Sequence, residues 1–124
     1  EDENIIDHVR MMEPHFLGGL NKLLDHPLVG EVRGKGLVAG VELVNNKTTG
    51  EAFDPVHNVG PFCVECAESH GLIVRAIGDT ISFCPPLVIN KSEIEELILR
   101  FKLALDDTLT MVQNKLWFQH ARKD

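Results

Sequence analysis

Two pairs of short β-type segments, each joined by a glycine-containing turn, constrain the fold of this chain most strongly. The first pair covers residues 29–33 and 37–44, and the second covers residues 72–77 and 80–84. Gly34 and Gly36 stand inside the first connection and Gly78-Asp79 forms the second, where the backbone needs torsion angles that glycine adopts at little cost. Gaps this short favour hairpins, so the sequence predicts an antiparallel sheet.

Three segments with helical periodicity alternate with these strands. They cover residues 3–24, residues 58–70 and a long stretch that starts near Asn90. In the first, apolar residues recur at steps of three and four, as Ile5, Val9, Met12, Phe16, Leu20 and Leu23. Pro14 predicts a kink near Glu13, because its ring clashes with a carbonyl one turn back. The last helix has two candidate capping boxes, Asn90 with Glu93 and Ser92 with Glu95.

The order of helix, two strands, helix, two strands and helix predicts an α+β fold. We expect a three- to four-stranded antiparallel sheet with the helices packed on one face. The 124 residues fit one domain over 1–124, and 44% hydrophobic residues suffice for a core. Residues 115–124 lose the helical period, so this tail is expected to fray or to dock elsewhere.

Charge, hydropathy and cysteine content narrow the class of protein. A formal net charge of -7 argues against a nucleic-acid surface, and no apolar run approaches the ~20 residues that span a bilayer. Three cysteines cannot pair completely, and reduced thiols fit a cytoplasmic protein. The chain opens on Glu1-Asp2-Glu3 without Met or a signal peptide, so we expect it to be a piece of a longer protein.

Several motifs have a chemical and a structural interpretation. Cys63 and Cys66 resemble half of a zinc site, but zinc needs four ligands, and two buried cysteines on a helix are the better account. The Arg33-Gly34-Lys35-Gly36 run lacks the strand–loop–helix context of a phosphate loop, which favours a hairpin. The acidic residues of the last helix are interpreted as a solvated face, at positions Glu93, Glu95, Glu96, Asp106 and Asp107.

Three segments in series resemble the small C-terminal domain of the class III aminotransferases, which use pyridoxal phosphate (PLP). They are His26-Pro27-Leu28-Val29-Gly30-Glu31-Val32-Arg33-Gly34-Lys35-Gly36-Leu37, His70-Gly71-Leu72-Ile73-Val74-Arg75, and Ile81-Ser82-Phe83-Cys84-Pro85-Pro86-Leu87-Val88-Ile89. The resemblance extends over about residues 3–112. It implies the small domain of a fold-type I enzyme, which is usually a homodimer with active sites at the subunit interface.

The resemblance also implies an activity whose catalytic apparatus lies mostly outside this chain. PLP accepts an amino group from a donor and passes it to a keto acid, while the protein supplies binding and orientation. The Schiff-base lysine of the family lies in a large domain. No segment here resembles its motif, so the isolated chain is expected to bind no PLP covalently and to be inactive.

Arg75 matches the position that places an arginine near the substrate carboxylate in omega-transaminases. A guanidinium pairs bidentately with a carboxylate, although an arginine on a half-exposed strand is also a common surface residue. Acetylornithine- and ornithine-type enzymes instead carry an arginine at the place of Ser82. The pattern favours the branch that uses an amine or omega-amino acid as donor and a keto acid such as pyruvate as acceptor. Phe83 is compatible with the border of a substrate pocket or with the core.

A rival interpretation is a non-catalytic α+β module that binds a partner through its sheet or a helix. It gains if the natural gene encodes only these residues. A parent reading frame about three times as long, with a lysine-containing large domain upstream, supports the enzyme.

Overall fold

The structure, a computed structural model, describes residues 2–117 as four strands and three α-helices. In chain order they are α1 (Asp2–Asn21), β1 (Val29–Lys35), β2 (Val38–Leu43), α2 (Val59–Ser69), β3 (Arg75–Ile77), β4 (Thr80–Phe83) and α3 (Lys91–Asn114). Short 3-10 turns cover Lys22–Asp25 and Pro55–His57. Among these elements, no helix combines the length and apolar character needed to cross a membrane.

The four strands form one antiparallel sheet in the order β1-β2-β4-β3. The predicted α+β fold is therefore confirmed. The third strand, predicted over residues 72–77, is wrong in extent, because only Arg75–Ile77 pairs with β4. Leu72 and Val74 lie before it as buried residues that pack without a strand partner.

The turn of the first hairpin lies closer to β2 than the predicted strands, residues 29–33 and 37–44, indicated. Lys35 pairs with Val38, so Gly36 and Leu37 are the two central turn residues. Gly36 has φ of 62° and Leu37 does not enter the positive region, which is the pattern of a type II′ turn. Leu37, predicted as the start of a strand, instead buries its side chain in the core. The Gly36 N–H donates to Glu13 Oε2 at 2.8 Å, which ties this turn to α1.

All three helices cover the same face of the sheet. The alternate residues Ala39, Val41 and Leu43 of β2 and Ile81 and Phe83 of β4 are buried against them. Strand side chains alternate between faces, so the residues between these point away from the helices. This arrangement confirms the prediction of a sheet covered on one side.

The long helices begin and run as their sequences indicate. The Glu93 N–H donates to Asn90 Oδ1 at 2.8 Å and the Asn90 N–H donates to Glu93 Oε1 at 3.0 Å. Of the two candidate capping boxes, the structure therefore selects the one that starts at Asn90. Pro14 lies inside the continuous helix α1, and the kink near Glu13 stays a prediction.

A buried histidine joins the start of β1 to α3. The Leu28 N–H donates to His26 Nδ1 at 3.2 Å, so the ring proton lies on Nε2, which contacts Asp106 Oδ1 at 3.0 Å. The acidic face of α3 is solvated as expected, and its acidic pair also contacts other elements: Asp106 binds His26, and Asp107 contacts His70 Nε2 at 2.8 Å. Sequence spacing could not show these pairs, since about 80 and 37 residues separate the partners.

The C-terminal residues that are described dock against the rest of the domain. The ring of Trp117 stacks on that of His57 with centroids 3.8 Å apart and an interplanar angle of 5°. Docking is the second of the two alternatives predicted for the tail. The remainder of that prediction, over residues 118–124, lies outside the described residues.

We expect His26 to make stability fall in mild acid. Burial lowers its pKa from the ordinary value of 6.5, although the contact with Asp106 opposes the shift. The folded state therefore binds this proton less tightly than the unfolded chain does. Stability is complete above about pH 6.5 and falls as the pH drops through the lowered pKa.

Denaturant unfolding at pH 7.5 and 5.5 checks this expectation. His26→Asn keeps an acceptor for the Leu28 N–H but cannot titrate, so it should reduce the loss of stability between the two pH values. His15→Asn, at an exposed position of α1, is the control and should leave that loss unchanged. An equal acid loss in His26→Asn and the parent chain would contradict the assignment.

Candidate functional site

The face of the sheet opposite the helices carries the candidate site, and we call it the open face. Its side chains are exposed or half-buried in the described structure, and they come from all four strands. They are Glu31, Arg33, Lys35, Val38, Glu42, Arg75, Ile77, Thr80 and Ser82. Val38 and Ile77 are 53% and 74% exposed, so this surface is partly apolar as well as charged.

Arg75 is the first residue of β3 and lies at the edge of the sheet. Its side chain is exposed and makes no hydrogen bond or ion pair within residues 2–117. Two other arginines differ: Arg33 contacts Glu31 Oε1 at 3.1 Å, and Arg100 contacts Glu96 Oε2 at 3.0 Å. The planar fork of Arg75 is therefore available for a carboxylate.

Ser82 lies directly across from Arg75 in the β3–β4 pair. Facing residues of an antiparallel pair have Cβ atoms about 4.5–5.5 Å apart and point to the same side. An arginine at either position would thus project into the same space beside the open face. Positions 75 and 82 are therefore alternative supports for one guanidinium. With Ser82 small, the space beside Arg75 stays open.

The row that contains Arg75 and Ser82 continues across the sheet to Gly40 and Arg33. Strands are spaced by about 4.8 Å, which places the backbones of Arg75 and Arg33 about 14 Å apart. Arg33 faces the same side as Arg75 but lies at the opposite edge and is paired. It therefore offers a matched control for the charge of Arg75.

Phe83 lies on the other face of the sheet. It is 1% exposed, and its ring meets that of Phe101 at 4.7 Å and that of Phe16 at 6.5 Å, both edge to face. Of the two alternatives that the sequence left open, the structure places Phe83 in the core. Its side chain does not reach the open face that carries Arg75.

The turn next to Arg75 is fastened to α2 by a contact that sequence reasoning missed. The Gly60 N–H donates to Asp79 Oδ1 at 2.8 Å. Asn58, the residue before α2, makes no side-chain cap, so Asp79 supplies the acceptor from another element. Partial burial raises the pKa of Asp79, while the Gly60 hydrogen bond opposes that shift. The sequence signal for this contact is the order Gly78-Asp79, which is the reverse of the commoner Asp-Gly turn.

The cysteines support a structural and not a metal-binding interpretation. Burial raises the pKa of the Cys63 thiol to about 12, and Cys66 is half-buried with a pKa that burial also raises. Cys84 is exposed. Among residues 2–117, no group of three or more His, Cys, Asp or Glu side chains could hold a metal ion.

The lysines of the described region do not fit a covalent PLP site. All of them are exposed, at positions Lys22, Lys35, Lys47, Lys91, Lys102 and Lys115. A lysine that forms a Schiff base has its pKa lowered by desolvation or a neighbouring cation. None of these lysines is buried, so the described part of this chain offers no desolvated lysine for that role.

Comparison with known proteins establishes the family. A sequence model of the family described as Aminotransferase class-III matches residues 1–105. The chain belongs to the class III aminotransferases.

Its relatives narrow the group of enzymes that it resembles. The putrescine–pyruvate aminotransferase of Pseudomonas aeruginosa is 46% identical over 112 residues, which are 90% of this chain and 24% of that protein. Gamma aminobutyrate transaminase 3, chloroplastic, of Solanum lycopersicum is 38% identical over 113 residues, or 91% of this chain and 22% of that protein. The chain thus spans about a quarter of the length of the relatives it matches.

A solved structure shows that the fold is shared as well. The omega transaminase from Pseudomonas jessenii in complex with PMP superposes with a TM-score of 0.84 at 41% identity. The match covers 90% of this chain and 25% of that one.

We expect Gly60→Ala to destabilise the chain by about 1–3 kcal/mol, as overpacking does. A Cβ at residue 60 would lie 2.2 Å from the Gly78 carbonyl oxygen and 2.9 Å from Asp79 Cα, and these backbone atoms cannot rotate away. Gly18→Ala is the matched control, because nothing lies within 4 Å of its Cβ and it sits in α1. Removing a helical glycine there should be neutral or stabilising by about 0.5–1 kcal/mol. Urea unfolding of both variants measures the difference in the free energy of unfolding. Equal stabilities would contradict the close approach of Gly60 to the Gly78 carbonyl.

Proposed function

We propose that this chain is the substrate-recognising C-terminal part of a PLP-dependent aminotransferase of the omega-transaminase type. The enzyme transfers an amino group from an amine or an omega-amino acid to a keto acid such as pyruvate. Arg75 binds the carboxylate of the substrate. Family membership supports the general activity, and the open, unpaired guanidinium of Arg75 supports its role.

The position of Arg75 is the observation that carries the proposal. It is exposed on an edge strand and lacks a partner within residues 2–117. A guanidinium holds its charge at any physiological pH and offers two parallel N–H donors to a carboxylate. An edge strand has a neighbour on one side only, so a ligand can approach from the other side. These properties suit a residue that receives a carboxylate from outside this domain.

The choice of branch rests on Ser82 and on the relatives. An arginine at residue 82 would stand opposite Arg75 and repel it, since like charges directly across a strand pair are destabilising. Because residue 82 is a serine, Arg75 carries the guanidinium of this facing pair. Names of the relatives include a putrescine–pyruvate aminotransferase and gamma-aminobutyrate transaminases, which supports an amine or omega-amino donor.

The remaining parts of the proposal concern the whole enzyme. We propose that PLP is held by the part of the enzyme outside this chain, where it stabilises the carbanion of the reacting amine. The exposed apolar side chains of the open face suit a surface that meets that part. The enzyme is proposed to be a cytoplasmic homodimer. No observation favours the rival non-catalytic module over this assignment.

We expect Arg75→Ala in the full-length enzyme to impair carboxylate substrates selectively. Hydrogen bonds to a charged group contribute about 1.5–3 kcal/mol, so kcat/KM for pyruvate should fall by about tenfold to a hundredfold. The half-reaction with a primary amine that has no carboxylate should change little. The two half-reactions are measured separately, because a complete cycle always includes the keto acid.

Two further variants sharpen this test. Arg33→Ala removes a guanidinium from the other end of the same row and should leave both half-reactions unchanged. Arg75→Ala combined with Ser82→Arg returns a guanidinium to the facing position and should restore part of the activity with pyruvate. Equal loss for amine and pyruvate in Arg75→Ala would remove Arg75 from carboxylate binding.

The isolated chain should form no specific covalent adduct with PLP. The described lysines are exposed, so none has the desolvated setting that activates a Schiff-base lysine. Incubation with PLP, reduction with borohydride and peptide mass spectrometry should find at most low, scattered labelling. A stoichiometric adduct at one defined lysine would contradict this expectation. Pyridoxamine, which has no aldehyde, is the control for noncovalent retention.

A further inference from the structure

We propose that Asp79 is a positioning residue, which holds the β3–β4 hairpin against α2 so that Arg75 meets the substrate carboxylate in a fixed orientation. This inference rests on the proposed role of Arg75 and extends it to a residue that does not touch the substrate.

Strand β3 is the most weakly anchored strand of the sheet. It has three residues, Arg75, Ala76 and Ile77, and pairs only with β4. Its first and last residues are exposed, and Ala76 alone packs partly against the core. A strand this short with one neighbour has few ladder hydrogen bonds, so its position depends on what holds its two ends.

The C-terminal end of β3 is held through the turn. Gly78 takes φ of 60° and Asp79 follows it, so the turn places the carboxylate of Asp79 beside the start of α2. Asp79 Oδ1 accepts the Gly60 N–H at 2.8 Å across 19 residues of sequence. Gly60 is buried and its missing Cβ lets the Gly78 carbonyl approach, so the turn and the helix are in direct backbone contact.

This contact lies close enough to Arg75 to control its direction. Gly78 is the third residue after Arg75, which is about 10 Å along an extended strand. If the turn tilted away from α2, β3 would rotate with it and the guanidinium of Arg75 would change direction by a similar angle. Displacements of about 1 Å at a substrate-binding group can cost about a hundredfold in rate. A fixed turn keeps the bidentate geometry that Arg75 needs.

Asp79 itself is not placed to bind the substrate carboxylate. Its oxygen is committed to the Gly60 N–H, and its own negative charge would repel an anionic group. Loss of Asp79 should thus act through Arg75 or not at all. That makes the two residues testable as a coupled pair.

The test uses the full-length enzyme with Asp79→Ala and Asp79→Asn, each alone and together with Arg75→Ala. Asp79→Ala should raise the KM for pyruvate by about tenfold with a smaller change in kcat. Asp79→Asn keeps an acceptor oxygen for Gly60 and should restore the parent KM. In the Arg75→Ala background, Asp79→Ala should add no further increase. Asp54→Asn is the matched control, since Asp54 caps the turn at Val56 (3.0 Å) outside the hairpin.

Hydrogen exchange of the hairpin amides supplies a readout that does not depend on activity. Asp79→Ala should speed exchange in residues 75–82, and Asp79→Asn should not. If exchange rises but the KM for pyruvate does not, or if the KM effect persists without Arg75, the positioning role is wrong. If Asp79→Ala leaves exchange unchanged, the hydrogen bond from Gly60 to Asp79 does not hold the hairpin, and the proposal is wrong. If Arg75→Ala impairs the pyruvate and amine half-reactions equally, the proposed function is wrong. The exchange result would still test whether Asp79 holds the hairpin against α2.

Discussion

The burial of Phe83 between Phe16 and Phe101 is the contact on which the functional face of the domain depends. These three rings join α1, β4 and α3, and each ring is fully buried. Side chains of a strand alternate, so fixing Phe83 toward the helices turns Ser82 to the open side. A slip of one residue would bury the serine and expose the phenylalanine. The register with β4 then orients Arg75 in the same direction as Ser82.

Polar contacts between distant segments fasten the parts that this core leaves loose. His26 joins the approach to β1 to α3, Glu13 joins the first turn to α1, and Asp79 joins the second turn to α2. Each of them makes a hydrogen bond or ion pair with a group of another element, to a backbone N–H for Glu13 and Asp79 and to Asp106 for His26. The sheet is therefore held at its edges and turns by side chains from the elements that cover it, while the apolar core holds its centre.

As proposed above, the domain supplies substrate recognition in an aminotransferase and not the Schiff-base lysine. It belongs to the class III family and covers about a quarter of the length of its relatives, and its described lysines are solvated. Residues 75 and 82 face each other across the β3–β4 pair, so either position could present a guanidinium to the same space.

The sequence by itself determined the class of fold and the family, and it singled out Arg75 as a candidate, because these depend on local signals. Period-2 and period-3.6 patterns give strands and helices, glycine turns give hairpins, and motifs in series give the family. The tertiary structure decided what distance in sequence hides. It shortened β3, since Leu72 and Val74 find core contacts instead of a strand partner, and it placed Phe83 in the core. It also brought Asp79 to Gly60 and Asp106 to His26, because contacts between segments follow from packing and not from spacing.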